Sequence, residues 1–387
     1  MSRITADDVL PLCRDLVERP TPNPPGNERE VVERLEARLE SSPVEFAIER
    51  RAVTPGRPNL VARTGDPDHG SVLLTGHTDT VPANADDWTD DPFTLRRDGD
   101  RIVGRGTADM KGALAAKVVA AEAFLTDADD PGEVVLGFVV DEESGGTGTQ
   151  ELVASGLDVD AAILGEGTDL GVGVAHKGSV RYHLTVRGRS SHSGRPDRGV
   201  SAIRKVRRVL EALEAFDAEL RSETHELLPP GGSLTVTEIE GGIAPNVVPE
   251  EVTVTLDWRF LPGFEAPPEA FDERLRDALA GVTMDGQPVE FDLDRWNYKP
   301  AVEVSGESTV VTAVAEAARE SGLSGDRVGF PAGTDAAYLV NDADVPTVLF
   351  GPGSIEEDAH TVDESVRVDD LVTTARVYRR ALDRLVG

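Results

Sequence analysis

The sequence predicts an α/β protein, a sandwich of helices around a mostly parallel sheet, interrupted by a smaller inserted domain. Three observations predict it. Short apolar strands alternate with helical stretches up to about residue 176 and again from about residue 296, the pattern of a parallel sheet covered by helices. Between them the period changes to two: Val180, Tyr182, Leu184 and Val186 alternate with Arg181, His183, Thr185 and Arg187, as in an antiparallel strand with one wet face. The 387 residues, 39% of them hydrophobic, suffice for two cores.

Taken in order, residues 6–19 form an amphipathic helix with Val9, Leu12 and Leu16 on one face. That face includes Cys13, the single cysteine, so no intrachain disulfide forms and the thiol reads as buried and structural. A helix at 27–41, a strand at 71–75, a helix at 111–126 and strands at 134–140 and 161–164 complete the first part of the sandwich. The insertion then runs strand, helix, strand, strand, helix, strand. Its helices are marked by Val200, Ile203, Val206, Leu210 and Leu213 and by Phe271, Leu275 and Leu279, its later strands by 233–240, 251–261 and "PVEFDLD". This βαββαβ order is the ferredoxin-like α+β unit. A helix at 307–322, a strand at 346–350 and a helix at 368–385 return the chain to the sandwich. The expected domains are 1–177 and 296–387 for the sandwich and 178–295 for the insertion.

Lys and Arg number 39 against 71 Asp and Glu, a net charge of −32, and only Lys111, Lys117, Lys177, Lys205 and Lys299 are lysines. Scattered carboxylates in such excess suit a protein bathed in screening salt. The same balance argues against a nucleic-acid or anionic-membrane partner, since no basic patch can neutralise phosphates. No apolar run reaches membrane length, and the charged N-terminal stretch "MSRITADDVLPLCRDLVERP" lacks the apolar core of a signal peptide, so the cytoplasm is the expected location.

In open α/β sheets ligands collect at the carboxyl ends of strands, and several of these ends carry chemistry. "GHTDTVP" places His77 and Asp79 after Val72, Leu73 and Leu74. Two residues apart on a strand they share a face, so the carboxylate can hold one imidazole nitrogen while the other points outward, as beside a metal-bound histidine. "EVVLGFVV" runs into Asp141, Glu142 and Glu143, "DAAILG" into Glu166, and "VPTVLFGPG" leads through an acidic loop to His360. "GRGTADMKG" delivers Asp109 at a helix start. Two imidazoles with several carboxylates suit zinc, or cobalt or manganese, whereas calcium wants oxygen ligands only. An odd number of ligands is natural where one carboxylate bridges two ions.

The stretches "GHTDTVP", "GRGTADMKGALAA", "DEESGG", "ILGEGTD", "GRSSHSGRP", "GGIAPNVVPEEVTVTLDWRFLPG", "GTDAAYL" and "HTVDESV" together resemble the co-catalytic dizinc peptidase and deacylase family. That family includes acetylornithine deacetylase, succinyl-diaminopimelate desuccinylase, aminoacylase and glutamate carboxypeptidase. The similarity runs over essentially the whole chain, the insertion serving in that family as lid and dimerisation domain. The resemblance implies two divalent metal ions, with Asp109 bridging both, His77 and Glu166 completing one site, and Glu143 and His360 completing the other. It implies that Asp79 orients His77, that the Asp109–Met110 peptide is cis, and that Glu142 is the general base acting on a metal-bridging water. In the insertion it makes Arg259 a clamp for a substrate carboxylate, His192 an oxyanion donor contributed by the partner subunit of a homodimer, and Asn246 its neighbour. His69, His176, His183 and His225 have no motif support and read as surface or structural.

The implied reaction is hydrolysis of an N-acyl amino acid. Glutamate at the position of Glu166 tends in this family to accompany deacylases, and aspartate peptidases, which points to the acetylornithine deacetylase or succinyl-diaminopimelate desuccinylase type. A carboxypeptidase or dipeptidase is the alternative. The reading from another class is a binding protein that closes on its ligand around structural metals; Glu142 argues against it, because a pure metal binder needs no such acid.

The charge balance generates a prediction. Between roughly 0.1 and 2 M salt, where the Debye length contracts to a few ångströms, the melting temperature should rise with salt, and one indifferent to salt would remove the reading of a salt-adapted protein.

Overall fold

The computed structural model describes residues 4–264 and 267–387. The chain divides into two compact units, one of Met1–Val174, Val304–Val328 and Thr334–Gly387, the other of Ala175–Glu303 with Gly329–Gly333.

The first unit is built on one twisted sheet whose order is Ala47–Thr54, Arg57–Thr64, Gly132–Val139, Asp66–His77, Ala161–Leu164, Thr347–Leu349 and Val172–His176. The four strands from Gly132–Val139 to Thr347–Leu349 run parallel. They are the near-continuous apolar runs legible in the sequence, and helices on both faces explain why such runs are tolerated. The outer pairings are antiparallel. The expected strand at 71–75 is longer at both ends. Its early half, Asp66–Gly70, is polar and largely exposed and so carries no apolar signal, while its last residue, His77, pairs with Val139.

The helix Lys111–Asp127 is buried nearly all round. Small residues such as Gly112, Ala113, Ala116 and Ala120 let it pack closely against the helix Val368–Leu385 and the sheet. Cys13 is buried in the helix Ala6–Val17, and burial pushes its thiol up to about 12, as expected of an inert structural cysteine. A ribbon of three short strands, Ser365–Arg367, Arg101–Val103 and Arg96–Asp98, is not foreseen from the sequence, because each is three residues long and rich in charge. It ties the segment before Asp109 to the segment after His360.

The second unit is an antiparallel four-stranded sheet in the order Ser233–Gly241, Glu251–Phe260, Gly178–Arg187 and Phe291–Lys299. The helices Ala202–Leu220 and Pro268–Leu279 pack with it around one core of Val180, Tyr182, Leu184, Leu213, Leu256 and Trp258. Trp258 meets Phe216 and Phe271 edge-on, with centroids 5.0 and 5.1 Å away. This is the βαββαβ order read from the sequence. Among the described residues no helix is long and apolar enough to cross a membrane.

The start of the buried helix admits a direct test. A Cβ on Gly112 would lie 2.3 Å from the carbonyl oxygen of Thr107, a backbone atom two residues from Asp109. Gly112→Ala gains about 1 kcal/mol of helix propensity, but displacing that loop costs about 2–3 kcal/mol. Urea unfolding should therefore show a net loss of stability; an unchanged or raised stability would show that the loop yields freely.

Candidate metal centre

His77 closes its strand, and its backbone N–H points at the sulfur of Met110, 3.2 Å away. Its Nδ1 lies 2.9 Å from the carbonyl oxygen of Asp79. A carbonyl only accepts, so Nδ1 carries the proton and donates it, leaving Nε2 to face the site. The strand ends at His77, so the two residues do not share a strand face, yet the Asp79 carboxylate oxygen also stands 3.5 Å from Nδ1 and pairs with the ring. The fully buried carboxylate also accepts the backbone N–H groups of Glu142 and Glu143, both at 3.2 Å. Asp79 thus borders His77 with both its carbonyl and its carboxylate, and its side chain also holds the Glu142–Glu143 turn.

Asp109 sits on a loop held from behind by Glu364. The Glu364 carboxylate, 1% exposed, accepts the N–H groups of Gly106, Ala108 and Asp109 at 2.8–3.1 Å and pairs with Arg105 at 2.7 Å. The Asp109–Met110 peptide is cis, as the family resemblance implies. The two carboxylate oxygens of Asp109 then face different imidazoles, Oδ1 lying 2.8 Å from Nε2 of His77 and Oδ2 3.1 Å from Nε2 of His360. The same Nε2 of His360 is 3.1 Å from Oε2 of Glu143, whose Oε1 accepts the N–H of Val81 at 3.1 Å. Ligand atoms of His77, Asp109 and Glu143 all lie within 4.8 Å of one another. Glu166, two residues beyond its strand and 4% exposed, is coupled to this group through the charges of Asp109 and His77.

The electrostatics show what such a cluster demands. Burial on its own raises the Asp109 carboxyl, but the hydrogen bonds from His360 and His77 outweigh it and hold the group well below the usual carboxylate range. Its contacts with Asp109 and Glu143 raise His360 to about 11, and the contacts of His77 with Asp109 and Asp79 overcome burial to raise that ring as well. Glu143 and Glu166 are pushed up, first by burial and then by the negative charge of Asp109. The charge of Asp109 thus draws both imidazoles toward the protonated, positive form and Glu143 and Glu166 toward the neutral acid. Divalent cations of the N/O-ligated class would supply that positive charge and displace those protons, so the donor set fits two ions sharing Asp109.

Glu142 lies beside Glu143 on the turn that Asp79 holds, close enough to Glu166 for its charge to act there. The remaining candidates belong to the other unit. Arg259 is on the polar face of its strand, opposite Val254, Leu256 and Trp258, and its guanidinium is paired with both oxygens of Asp257 at 2.5 and 3.0 Å. Arg181 reaches the same carboxylate at 3.0 Å. His192 is exposed on a two-residue strand paired with Val247, and the carbonyl of Asn246 accepts the N–H of Ser193 at 2.9 Å, so these two candidates are neighbours. Of the unassigned histidines, His176 is buried, with burial lowering it to about 4, and His183 stacks on Trp296 at the surface.

Two contributors escaped the sequence reading, and a third, Asp141, reads there as a strand-end acid without a role of its own. Glu364 lies four residues after His360 in the stretch "HTVDESV", and Asn23 sits among prolines in "TPNPPG". Asp141 stands directly before Glu142 with φ +72, a left-handed conformation. A polar residue within a proline-rich stretch was the available signal for Asn23; for Glu364 its spacing from His360 was the only hint.

Residues 73–384 match Peptidase family M20/M25/M40. An acetylornithine deacetylase of Myxococcus xanthus is 34% identical over 397 residues, covering 98% of this chain and 99% of its own. A succinyl-diaminopimelate desuccinylase of Methylobacterium radiotolerans is 32% identical over 395 residues, covering 97% of this chain and 96% of its own. Among solved structures, a dinuclear metal-binding peptidase of the M20 family from Bacillus subtilis has a TM-score of 0.72 at 18% identity, covering 98% of each chain, a likeness that speaks for the fold. The chain belongs to Peptidase family M20/M25/M40 and is a hydrolase.

Proposed function

We propose that this hydrolase is a dinuclear metal-dependent amidohydrolase that removes the acyl group of N-acyl amino acids, of the acetylornithine deacetylase or succinyl-diaminopimelate desuccinylase type. The observation that carries the reading is the buried Asp109 carboxylate, each of whose oxygens faces a different histidine. Asp109 would hold both ions, with His77 and Glu166 at one and Glu143 and His360 at the other. When bound, two such ions, zinc or alternatively cobalt or manganese, polarise a carbonyl and make water more acidic. Glu142 accepts a proton as water adds to the amide carbon and hands it to the nitrogen as the C–N bond breaks, so that a carboxylate and a free amine leave. Asp79 keeps that acid in place through the N–H of Glu142 itself.

Arg259 receives the substrate carboxylate, exchanging one oxyanion partner, Asp257, for another. The Gly194 N–H donates to Nδ1 of His192 at 2.9 Å; the neutral ring therefore keeps its proton on Nε2, a donor suited to a developing oxyanion. His192, with Asn246 beside it, serves the partner subunit in a cytoplasmic homodimer. The acetylornithine deacetylase and the succinyl-diaminopimelate desuccinylase, at 34% and 32% identity over nearly the whole chain, support deacylation over peptide cleavage. A carboxypeptidase or dipeptidase activity would use the same arginine and break the same kind of bond.

Metal-loaded protein in molar salt should release amine from N-acetylornithine or N-succinyl-diaminopimelate in preference to dipeptides; the reverse preference would make it a peptidase. Glu142→Ala should lose about 100- to 10,000-fold in kcat with metal content and KM unchanged, and an equal loss of metal would mean that the roles of Glu142 and Glu143 are exchanged.

The dimer is tested by mixing His192→Ala chains with Glu142→Ala chains, each nearly inactive alone. In a mixed dimer the site on the His192→Ala chain keeps its own Glu142 and borrows an intact histidine. Random pairing should restore up to about a quarter of wild-type activity, half the dimers being mixed and half of their sites intact. No recovery, under conditions shown to exchange subunits, would end the assignment of His192 to the partner's site.

A further inference from the structure

Asn23 is buried at 4% exposure in the segment that precedes the second helix, Arg29–Glu40, far in sequence from every metal-site candidate. Its backbone is fastened beside the end of the His77 strand. The N–H of Asn23 donates to the Thr80 carbonyl at 2.8 Å, the N–H of Thr80 to the Thr21 carbonyl at 3.0 Å, and the hydroxyl of Thr21 to the Thr78 carbonyl at 2.7 Å. From that anchor its side chain reaches two aspartates at once. The carboxamide nitrogen lies 2.8 Å from Oδ2 of Asp79 and 2.9 Å from Oδ1 of Asp141.

These two aspartates grip the turn that carries Glu142 from its two sides. Asp79 accepts the N–H groups of Glu142 and Glu143. Asp141 stands immediately before Glu142 in the left-handed conformation, φ +72, which aspartate tolerates better than most residues and which its surroundings can stabilise. They do so here: its carbonyl accepts the N–H groups of Gly145 and Gly146 at 3.0 and 2.5 Å, and its Oδ2 accepts the Thr147 hydroxyl at 2.7 Å. Its Oδ1 takes Asn23 together with Arg57, which is itself clamped by the fully buried Glu28 at 2.5 and 2.8 Å. Asn23 is the donor that the two aspartates share.

We propose that Asn23 is a positioning residue for the general base, its two amide hydrogens joining Asp79 to Asp141 and so fixing the direction in which the intervening turn presents Glu142. The chemistry of the position requires a carboxamide. Two carboxylate oxygens converging on one atom need two N–H donors there. A serine offers one hydrogen, an aspartate offers an additional acceptor, and an alanine offers neither. A neutral bridge also leaves the negative charge of the centre undiminished for cations, which a lysine or arginine in its place would not.

The inference rests on the reading of Glu142 as the base, and the test separates the two. Wild type, Asn23→Ala, Asn23→Asp, Asn23→Ser, Glu142→Ala and the double variant Asn23→Ala with Glu142→Ala are compared for kcat, KM, bound metal by elemental analysis, and melting temperature. Asn23→Ala and Asn23→Asp should lower kcat by about 10- to 100-fold, the cost of misplacing a reacting group by about an ångström, with KM and metal content at wild-type values. Asn23→Ser, keeping one donor, should fall between, and it replaces Asn23→Ala in the comparison should the latter not fold. In the Glu142→Ala background the Asn23 substitution should cost little more, because nothing is left to position. Wild-type kcat in the Asn23 variants, even with a lowered melting temperature, would reduce Asn23 to a structural part. Metal loss in step with kcat, or full multiplication of the two effects in the double variant, would likewise overturn the proposal. Wild-type turnover by Glu142→Ala would instead remove the base reading itself.

Discussion

A carboxylate that is less than a tenth exposed and faces two imidazoles and a second acid cannot be left to a flexible loop. The surroundings of Asp109 answer that requirement. Its backbone N–H and those of Gly106 and Ala108 are all accepted by Glu364, and Glu364 in turn is fixed by Arg105 and by the short ribbon that joins the 101–103 and 365–367 segments. Because His360 precedes Glu364 by four residues, the clamp that holds Asp109 also fixes the approach of the second histidine. The parallel strands supply the rest from one edge of the sheet, where ligands gather in open α/β folds: His77, the Glu142–Glu143 turn and Glu166 follow three neighbouring strands.

The distribution of charge around this point follows one logic. The groups that touch the centre are acids and imidazoles, and apart from those imidazoles the donors that hold them are neutral. Asp79 is satisfied by two backbone N–H groups and a carboxamide, and Glu143 by the N–H of Val81. The cations Arg57 and Arg105 stand one step farther out, on Asp141 and Glu364. A hydrogen bond from a neutral donor stabilises a carboxylate without cancelling its charge, and the negative charge so preserved is what a pair of divalent cations requires. The excess of acid over base in the whole chain is a separate matter, carried by exposed residues such as Asp98, Asp294 and Glu307.

In the second unit the same contrast divides the sheet by face. Val254, Leu256 and Trp258 are buried in an aromatic and aliphatic core, whereas Asp257 and Arg259 alternate with them on the other side. The Arg259 guanidinium already engages a carboxylate in a two-pronged pair, and Arg181 shares that carboxylate. In the clamp role proposed for Arg259, an arginine poised in this way would be ordered before a carboxylate ligand arrived and would lose less rotamer entropy on binding.

Hydropathy by itself determined the elements that bury a continuous apolar face. The strand Ala161–Leu164, the helix Val368–Leu385 and the alternating strand Gly178–Arg187 lie where their periodicity places them, because burial selects for that periodicity directly. Strand-end histidines and acids pointed to a metal centre, and the motif resemblance named His77, Asp109, Glu143 and His360, whose side chains the fold brings together. Tertiary structure alone decided which atom performs which task. That the Asp79 carbonyl joins its carboxylate at His77 depends on where the strand stops, and the polar half of that strand gives no apolar signal of its limits. The contributions of Glu364 and Asn23 were invisible for a related reason: both act by hydrogen bonds to segments 255 and 56 residues away. Such bonds are set by the close approach of chain segments in three dimensions, and a buried polar side chain leaves no period in the sequence by which to find its partner.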